Sequence, residues 1–272
     1  MIHCIKMTGL ISADLRMSVE KMISAVVDVL SLKLPSIYLY GSVSLGDFKL
    51  GWSDIDVLVL TKEQITEKQA NELLYLRQTL LVKEPDNPYY RSFEGGILTL
   101  DAFINKTPDR VVYWGTSGQK ITDSYNYDSF SLCVLKENGI LLYGDDVRDG
   151  IHMPTYDNLK NDVKNHLNSI RQYAYLTGKS LYSFGWLFDI SRCIYTLRTG
   201  KIIAKTAAGE WALQNGICPV SETLEFALKV RNSPLLYKTD KSVLEYAGTI
   251  NDDVMKYADV LENELRENDN GE

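Results

Sequence analysis

The hydrophobic periodicity of this chain changes once, near Met153-Pro154, and that change limits the possible folds more than any other feature. Ahead of it, helix-spaced and strand-like apolar segments alternate, the pattern of an α/β layer. Behind it, the apolar residues repeat at helical spacing between short connections, as in a helical bundle. In residues 18–30, Val19, Met22, Ile23, Val27 and Leu30 share one helical face, and Pro35 ends the element. Residues 37–40 and 54–60 read as buried strands. Thr61 and Thr66 are both candidate N-caps for a helix through Leu81, with Gln64 and Gln69 three residues on. Pro85 and Pro88 mark a loop, and 96–104 returns to strand-like content. In the second half, Leu159, Val163, Leu167, Ile170 and Ala174 form a stripe closed by Gly178. Helices near 181–197 and 206–214 are closed by Gly200 and Gly216, and a fourth covers 221–230. Asp240 caps a long fifth helix carrying Val243 through Leu265, beyond which the tail reads as frayed. The expectation is an α/β domain over 1–154 followed by an all-α domain over 155–272.

The net charge of −7 argues against a nucleic-acid partner, which calls for a basic face, and suits a cationic or neutral small molecule. Cys4, Cys133, Cys193 and Cys218 stand far apart, with neither zinc spacing nor a disulfide framework, so reduced thiols in a cytoplasm are expected. The first ten residues lack the apolar run of a signal peptide, and no stretch approaches a membrane span. His3, His152 and His166 form no constellation.

The chemistry concentrates in Tyr40-Gly41-Ser42-Val43-Ser44-Leu45-Gly46-Asp47 and Trp52-Ser53-Asp54-Ile55-Asp56. Gly41 permits a sharp turn and a close approach to a ligand. Amides that open a helix after it offer donors to phosphate oxygens, and Ser42 adds a hydroxyl. Asp54 and Asp56 lie two apart on a strand, so their carboxylates face the same side. Paired like charges are costly without a cation between them, and hard carboxylate oxygens suit Mg²⁺. The combination points to nucleotidyl transfer. A P-loop and a nucleophile elbow are both absent from the sequence.

Leu39-Tyr40-Gly41-Ser42 through Ser53-Asp54-Ile55-Asp56 resembles the signature of the polymerase-beta-like nucleotidyltransferases. Within them it is most similar to the aminoglycoside adenylyltransferases that modify streptomycin and spectinomycin. The resemblance continues through Tyr127 to Gly144, with its "LKENGILLYG" run, and through Arg192 to Lys205 and Ala207-Ala208-Gly209-Glu210-Trp211-Ala212. It implies a mixed-sheet nucleotidyltransferase domain followed by a helical bundle, with ATP and the acceptor in the cleft between them. It implies Gly41, Ser42, Ser53, Arg192 and Lys205 as ATP-binding residues, and Asp54, Asp56 and Glu94 as ligands of two Mg²⁺ ions. It also implies Glu94 as the base that takes the acceptor's hydroxyl proton.

Asp101 is the alternative base. With both acids on a strand over 93–103, a separation of seven puts them on opposite sides. Gly95-Gly96 stands where the family carries branched residues. Tyr182, Trp186, Asp189 and Cys193 fall at i, i+4, i+7 and i+11 of one predicted helix, bordered by Arg192. Such a face can stack a sugar ring and pair with a cation, or it can be core. Trp114 lies near the position of a substrate-contacting Trp in the family. Thr177-Gly178-Lys179-Ser180 departs from the family's drug-contacting segment, where acidic residues and a Trp are expected. The expected enzyme is a cytoplasmic monomer that transfers AMP from ATP to a small cationic acceptor. The alternatives are another acceptor, small molecule or protein hydroxyl, and a non-catalytic nucleotide sensor.

Overall fold

The structure is a computed structural model that describes residues 11–30, 33–115 and 118–270. His3 and Cys4 lie outside the described residues. The chain forms two compact units: residues up to Phe48 together with Ser53–Met153, and Lys49–Trp52 together with Pro154 onward.

The first unit is a six-stranded mixed sheet with helices. Its elements are α1 (Ala13–Leu30), β1 (Ser36–Tyr40), α2 (Gly41–Ser44), β2 (Ile55–Thr61), α3 (Glu67–Leu74) and α4 (Leu76–Lys83). They continue as β3 (Phe93–Thr99), α5 (Leu100–Asn105), β4 (Val111–Gly115), β5 (Gly118–Thr122), α6 (Ser129–Asn138) and β6 (Ile140–Tyr143). The strand order is β5-β4-β3-β2-β1-β6. Among the described residues only β2 and β3 run parallel; the other pairs are antiparallel. Strand alternation then sorts the side chains. Ile37, Leu39, Val57, Val59, Ile97, Val112 and Trp114 occupy one side and are all buried. The register puts Tyr40, Asp56, Glu94, Gly96 and Tyr113 on the other.

Several local expectations change in three dimensions. Thr66 does form a capping box with Gln69, but Thr61 is buried within β2, its hydroxyl donating to the Glu63 carbonyl. The single helix expected through Leu81 is two, broken at Tyr75, which leaves helical geometry with φ −97° and ψ 7°. The strand expected over 93–103 ends at Thr99, whose side chain caps α5 by accepting from the Ala102 N–H.

The second unit is helical: α7 (Tyr156–Tyr173), α8 (Gly185–Thr199), α9 (Lys205–Gln214), α10 (Ser221–Asn232), α11 (Pro234–Tyr237), α12 (Lys241–Ala247) and α13 (Asn251–Asn270). Leu159, Val163, Leu167 and Ile170 of α7 are buried as their spacing predicts. α8 is the central helix, packed against α7, α9, α10 and α13. Gly200 closes it at φ +68°, a left-handed cap that favours glycine. The long fifth helix is divided at Gly248–Ile250 into α12 and α13. The segment after Leu265 continues as helix, held in part by Lys160, whose Nζ lies 2.9 Å from Asp269 Oδ1. Among the described residues no helix is long and apolar enough to cross a membrane.

Candidate active site

Backbone register assembles the acidic centre. Asp56 on β2 is paired directly with Glu94 on the parallel neighbour β3, and with Tyr40 on β1. Adjacent strands lie about 4.8 Å apart, so register neighbours on one face have adjoining side chains. Asp54 stands two residues ahead of Asp56, just before β2, and Ser42 Oγ donates to its carbonyl at 3.3 Å. Gly41 turns the chain out of β1 at φ +66°. A methyl group there would sit 1.9 Å from Asp56 Oδ2, so only glycine lets the turn lie against this carboxylate. Gly41 opens α2, whose first turn has no side-chain cap. Ser53 is buried immediately upstream of Asp54.

The two glycines after Glu94 are required by packing. At Gly95, with φ +143°, a Cβ would fall 1.7 Å from the Val57 carbonyl oxygen. At Gly96 it would meet the Tyr125 ring at 2.5 Å. Tyr125 therefore lies over the sheet where a branched side chain would otherwise stand. Its ring neighbours are Tyr113 and Tyr127, at centroid separations of 6.3 and 6.0 Å, and Tyr127 also packs on Tyr40 and Phe103. Burial, then the nearby phenols and the Asp56 charge, pushes the Tyr40 hydroxyl well above its usual range. The Tyr113 hydroxyl donates to Glu94 Oε1 at 2.8 Å. Its pKa is pushed up to about 12, first by burial and then by that bond and the charges of Glu94 and Asp54. Tyr113 thus keeps its proton, and remains a donor, across the neutral range.

Arg77 is a buried cation on the same scaffold. Its guanidinium donates to the Phe93 carbonyl at 2.8 Å, to the Gly115 carbonyl at 3.2 Å and to Gln119 Oε1 at 2.9 Å. Burial lowers its pKa, opposed by the charges of Glu94, Tyr113 and Asp54. It ties the first residue of β3 to the end of β4. Sequence reasoning missed Arg77, Tyr113 and Tyr125, because each acts through a contact between segments distant in the chain.

Two expectations for this unit are corrected. Asp101 does not sit on the strand with Glu94; it is exposed in the first turn of α5, accepting from the Asn105 side chain at 2.9 Å. Trp114 is 1% exposed and its indole N–H donates to the Leu73 carbonyl at 2.9 Å, so it is core on the sheet face away from Glu94. Glu94 Oε1 accepts from the Tyr113 hydroxyl, and among the described residues no three His, Cys, Asp or Glu side chains are already gathered around one point. Asp54 and Asp56 remain a suitable donor set, since Mg²⁺ commonly takes one or two carboxylates and fills its shell with phosphate and water.

In the helical unit the charged residues cluster on α8 and α9. Asp189 Oδ1 lies 2.9 Å from Lys205 Nζ and 3.4 Å from an Arg192 guanidinium nitrogen. Burial pushes the Asp189 carboxyl up, but Lys205 and Arg192 prevail and hold it below the usual range, with a smaller contribution from His166. The carboxylate expected to meet a substrate is here engaged by the two cations. The four-residue stripe is also revised: α8 begins at Gly185, so Tyr182 belongs to a preceding 3₁₀ turn and is exposed, while Cys193 is core. Trp186 and Asp189 remain on the half-buried side of α8 with Arg192. Tyr182 packs on Trp52, which also meets Phe188 and the guanidinium of buried Arg231, 5.4 Å from the indole ring.

Comparison with known proteins gives the same answer for both units. The family described as "Nucleotidyltransferase domain" matches residues 21–94, and "Aminoglycoside adenylyltransferase, C-terminal domain" matches residues 154–251. Three Staphylococcus aureus proteins named spectinomycin 9-adenylyltransferase are 22% identical over 76% of this chain and 81% of their own. A crystal structure of an Enterococcus spectinomycin adenyltransferase with ATP and spectinomycin superposes with a TM-score of 0.61 at 17% identity. It covers 90% of this chain and 99% of that one, and it shows a shared fold. The two family matches take in the acidic centre of the sheet unit and most of the helical unit, and on that ground the chain belongs to the aminoglycoside adenylyltransferase family of polymerase-beta-like nucleotidyltransferases.

Proposed function

We propose that this nucleotidyltransferase moves AMP from ATP to a hydroxyl of an aminoglycoside-type antibiotic, with spectinomycin as the leading acceptor, and releases pyrophosphate. The observation that carries the proposal is the in-register pairing of Asp56 with Glu94 beside Gly41, within the residues that match the nucleotidyltransferase domain. The name shared by the curated relatives supports spectinomycin as acceptor. The departure at Thr177-Gly178-Lys179-Ser180 from the segment expected of streptomycin-modifying members points the same way.

In this reading residues 1–154 form the nucleotidyltransferase domain and 155–272 the helical domain. Asp54 and Asp56 hold Mg²⁺, two ions in this reading, which when bound neutralises triphosphate charge and favours attack on the α-phosphorus. Gly41 brings backbone amides close to the nucleotide, and Ser42 and Ser53 contribute hydroxyls. Arg192 and Lys205 are the cations for the triphosphate; Asp189, bonded to both, sets their positions. Glu94 takes the proton from the acceptor hydroxyl as its oxygen bonds to the α-phosphorus and the bond to the bridging oxygen breaks. Trp186 and Tyr182 offer aromatic surface to the acceptor. The enzyme acts as a cytoplasmic monomer without nucleic acid or membrane as partner. Its net charge of −7 and the buried, widely separated Cys133, Cys193 and Cys218 support that setting.

The test is pyrophosphate release from ATP and Mg²⁺ across a panel containing spectinomycin, streptomycin and other aminoglycosides. Spectinomycin is expected to raise release above the ATP-only background. Release with streptomycin alone would overturn the choice of acceptor. Tight ATP binding with no release on any acceptor would replace the enzyme by a nucleotide sensor.

A further inference from the structure

We infer that Tyr113 is a positioning residue for the reaction: it occupies one oxygen of Glu94 and aims the other at the acceptor hydroxyl. The inference rests on the reading of Glu94 as base. Its first support is geometric. The phenol donates to Glu94 Oε1 at 2.8 Å, and Glu94 sits in register beside Asp56. A hydrogen bond to an ionised carboxylate is about twice as strong as a neutral one and fixes the rotamer of a flexible side chain. With Oε1 engaged, the acceptor's proton goes to Oε2, while Tyr113 keeps its own.

The second support is that the surrounding residues make room for this bond. Gly115, two residues on, is a glycine where a Cβ would meet the Tyr113 ring at 2.7 Å. The Tyr125 ring braces Tyr113 from the side, in the space that Gly96 leaves open. The Lys120 ammonium lies 6.0 Å from the Tyr113 ring centre on the paired strand β5. Tyr113 is therefore held by glycines, a second aromatic ring and a cation, with its hydroxyl directed at Glu94.

The experiment is a double-mutant cycle on the full-length chain with Tyr113→Phe, Glu94→Gln and the double variant. Pyrophosphate release is measured with spectinomycin and expressed per ATP-binding site counted by calorimetry. Partly unfolded protein is then not mistaken for slow enzyme. Tyr113→Phe removes only a hydroxyl and is expected to lower kcat about tenfold, with KM for both substrates and ATP affinity within about twofold; one charge-assisted hydrogen bond is of that order. The double variant is expected to be no slower than Glu94→Gln, because Tyr113 acts only through Glu94. A parallel cycle by urea unfolding is expected to show coupling between the two positions. A Tyr113→Phe enzyme with unchanged kcat, or losses that multiply in the double variant, would overturn the inference while leaving Glu94 as base. Full turnover in Glu94→Gln would instead overturn the base assignment, and with it the role of Tyr113. In that case the unfolding cycle would still report the bond itself.

Discussion

The acidic centre of the sheet unit and the cationic cluster of the helical unit are built by different means. Asp56 and Glu94 are placed by backbone: each sits at a register position of a buried strand, and Gly41 closes against one of them. Arg192 and Lys205 are aimed by side chain: one carboxylate, Asp189, holds a residue of α8 and the first residue of α9. Geometry set by strand register survives the loss of a carboxylate's charge. Geometry set by an ion-pair cluster shifts when any member is removed, because the remaining charges lose compensation. Isosteric changes in the sheet unit should therefore remove chemistry and spare structure, whereas changes in the helical cluster should spread to the partners.

The largest effect is expected from Asp54→Asn and Asp56→Asn. Each should abolish turnover while the circular dichroism spectrum and melting temperature stay near the parent's; unchanged pyrophosphate release in either would remove the sheet acids from the reaction. Gly41→Ala should come close to these variants, since its methyl would collide with Asp56 Oδ2 at a positive φ. Next is Glu94→Gln, where loss of a general base costs about 10²–10⁴-fold in kcat with ATP binding retained. In the helical unit, Lys205→Ala and Arg192→Ala should weaken ATP binding in calorimetry by about tenfold, the scale of one charge-assisted contact. Asp189→Asn should also alter ATP affinity, because it removes the charge that both cations share; an ATP affinity equal to the parent's in all three would break the comparison on the helical side. The smallest effect belongs to Asp101→Asn. Asp101 is exposed on α5 with a local bond to Asn105, so kcat should stay within about twofold, the ordinary range for a surface change.

The same contrast decides what could be read from the sequence. The sheet unit announces itself, because short runs of apolar residues and a Gly-Ser turn ahead of Asp-x-Asp depend on neighbours along the chain. Asp54, Asp56, Gly41 and Glu94 were named from residues or family likeness without any structure. The family likeness also named Trp114, which is core: alternation on β4 turns the indole to the helix-packed face and leaves Tyr113 on the Glu94 side. Asp101 was misplaced because apolar content over 93–103 does not mark the point where strand becomes helix; the cap at Thr99 does. Gly95-Gly96 departs from the branched residues of the family. It is a requirement set by the Val57 carbonyl and the Tyr125 ring, contacts between segments tens of residues apart. In the helical unit, spacing alone put Tyr182 and Cys193 on one face with Asp189. The 3₁₀ turn ending at Phe184 takes Tyr182 out of the phase of α8, while Cys193, one turn beyond Asp189, is buried. The salt bridge of Asp189 to Lys205 crosses between helices, and no periodicity within one helix reveals it.

In the proposed reaction the acids of the sheet unit carry AMP to an antibiotic hydroxyl. The most direct measurement follows label at the α-phosphate of ATP in reactions with Mg²⁺ and spectinomycin, using the parent chain and Asp56→Asn at equal concentrations of ATP-binding sites. The parent is expected to move the label onto spectinomycin, one AMP per drug molecule by mass spectrometry, with an equal amount of pyrophosphate. Asp56→Asn is expected to move none. Label transferred by Asp56→Asn at the parent's rate would contradict the role of the sheet acids, and label on no acceptor with either protein would contradict the transfer itself.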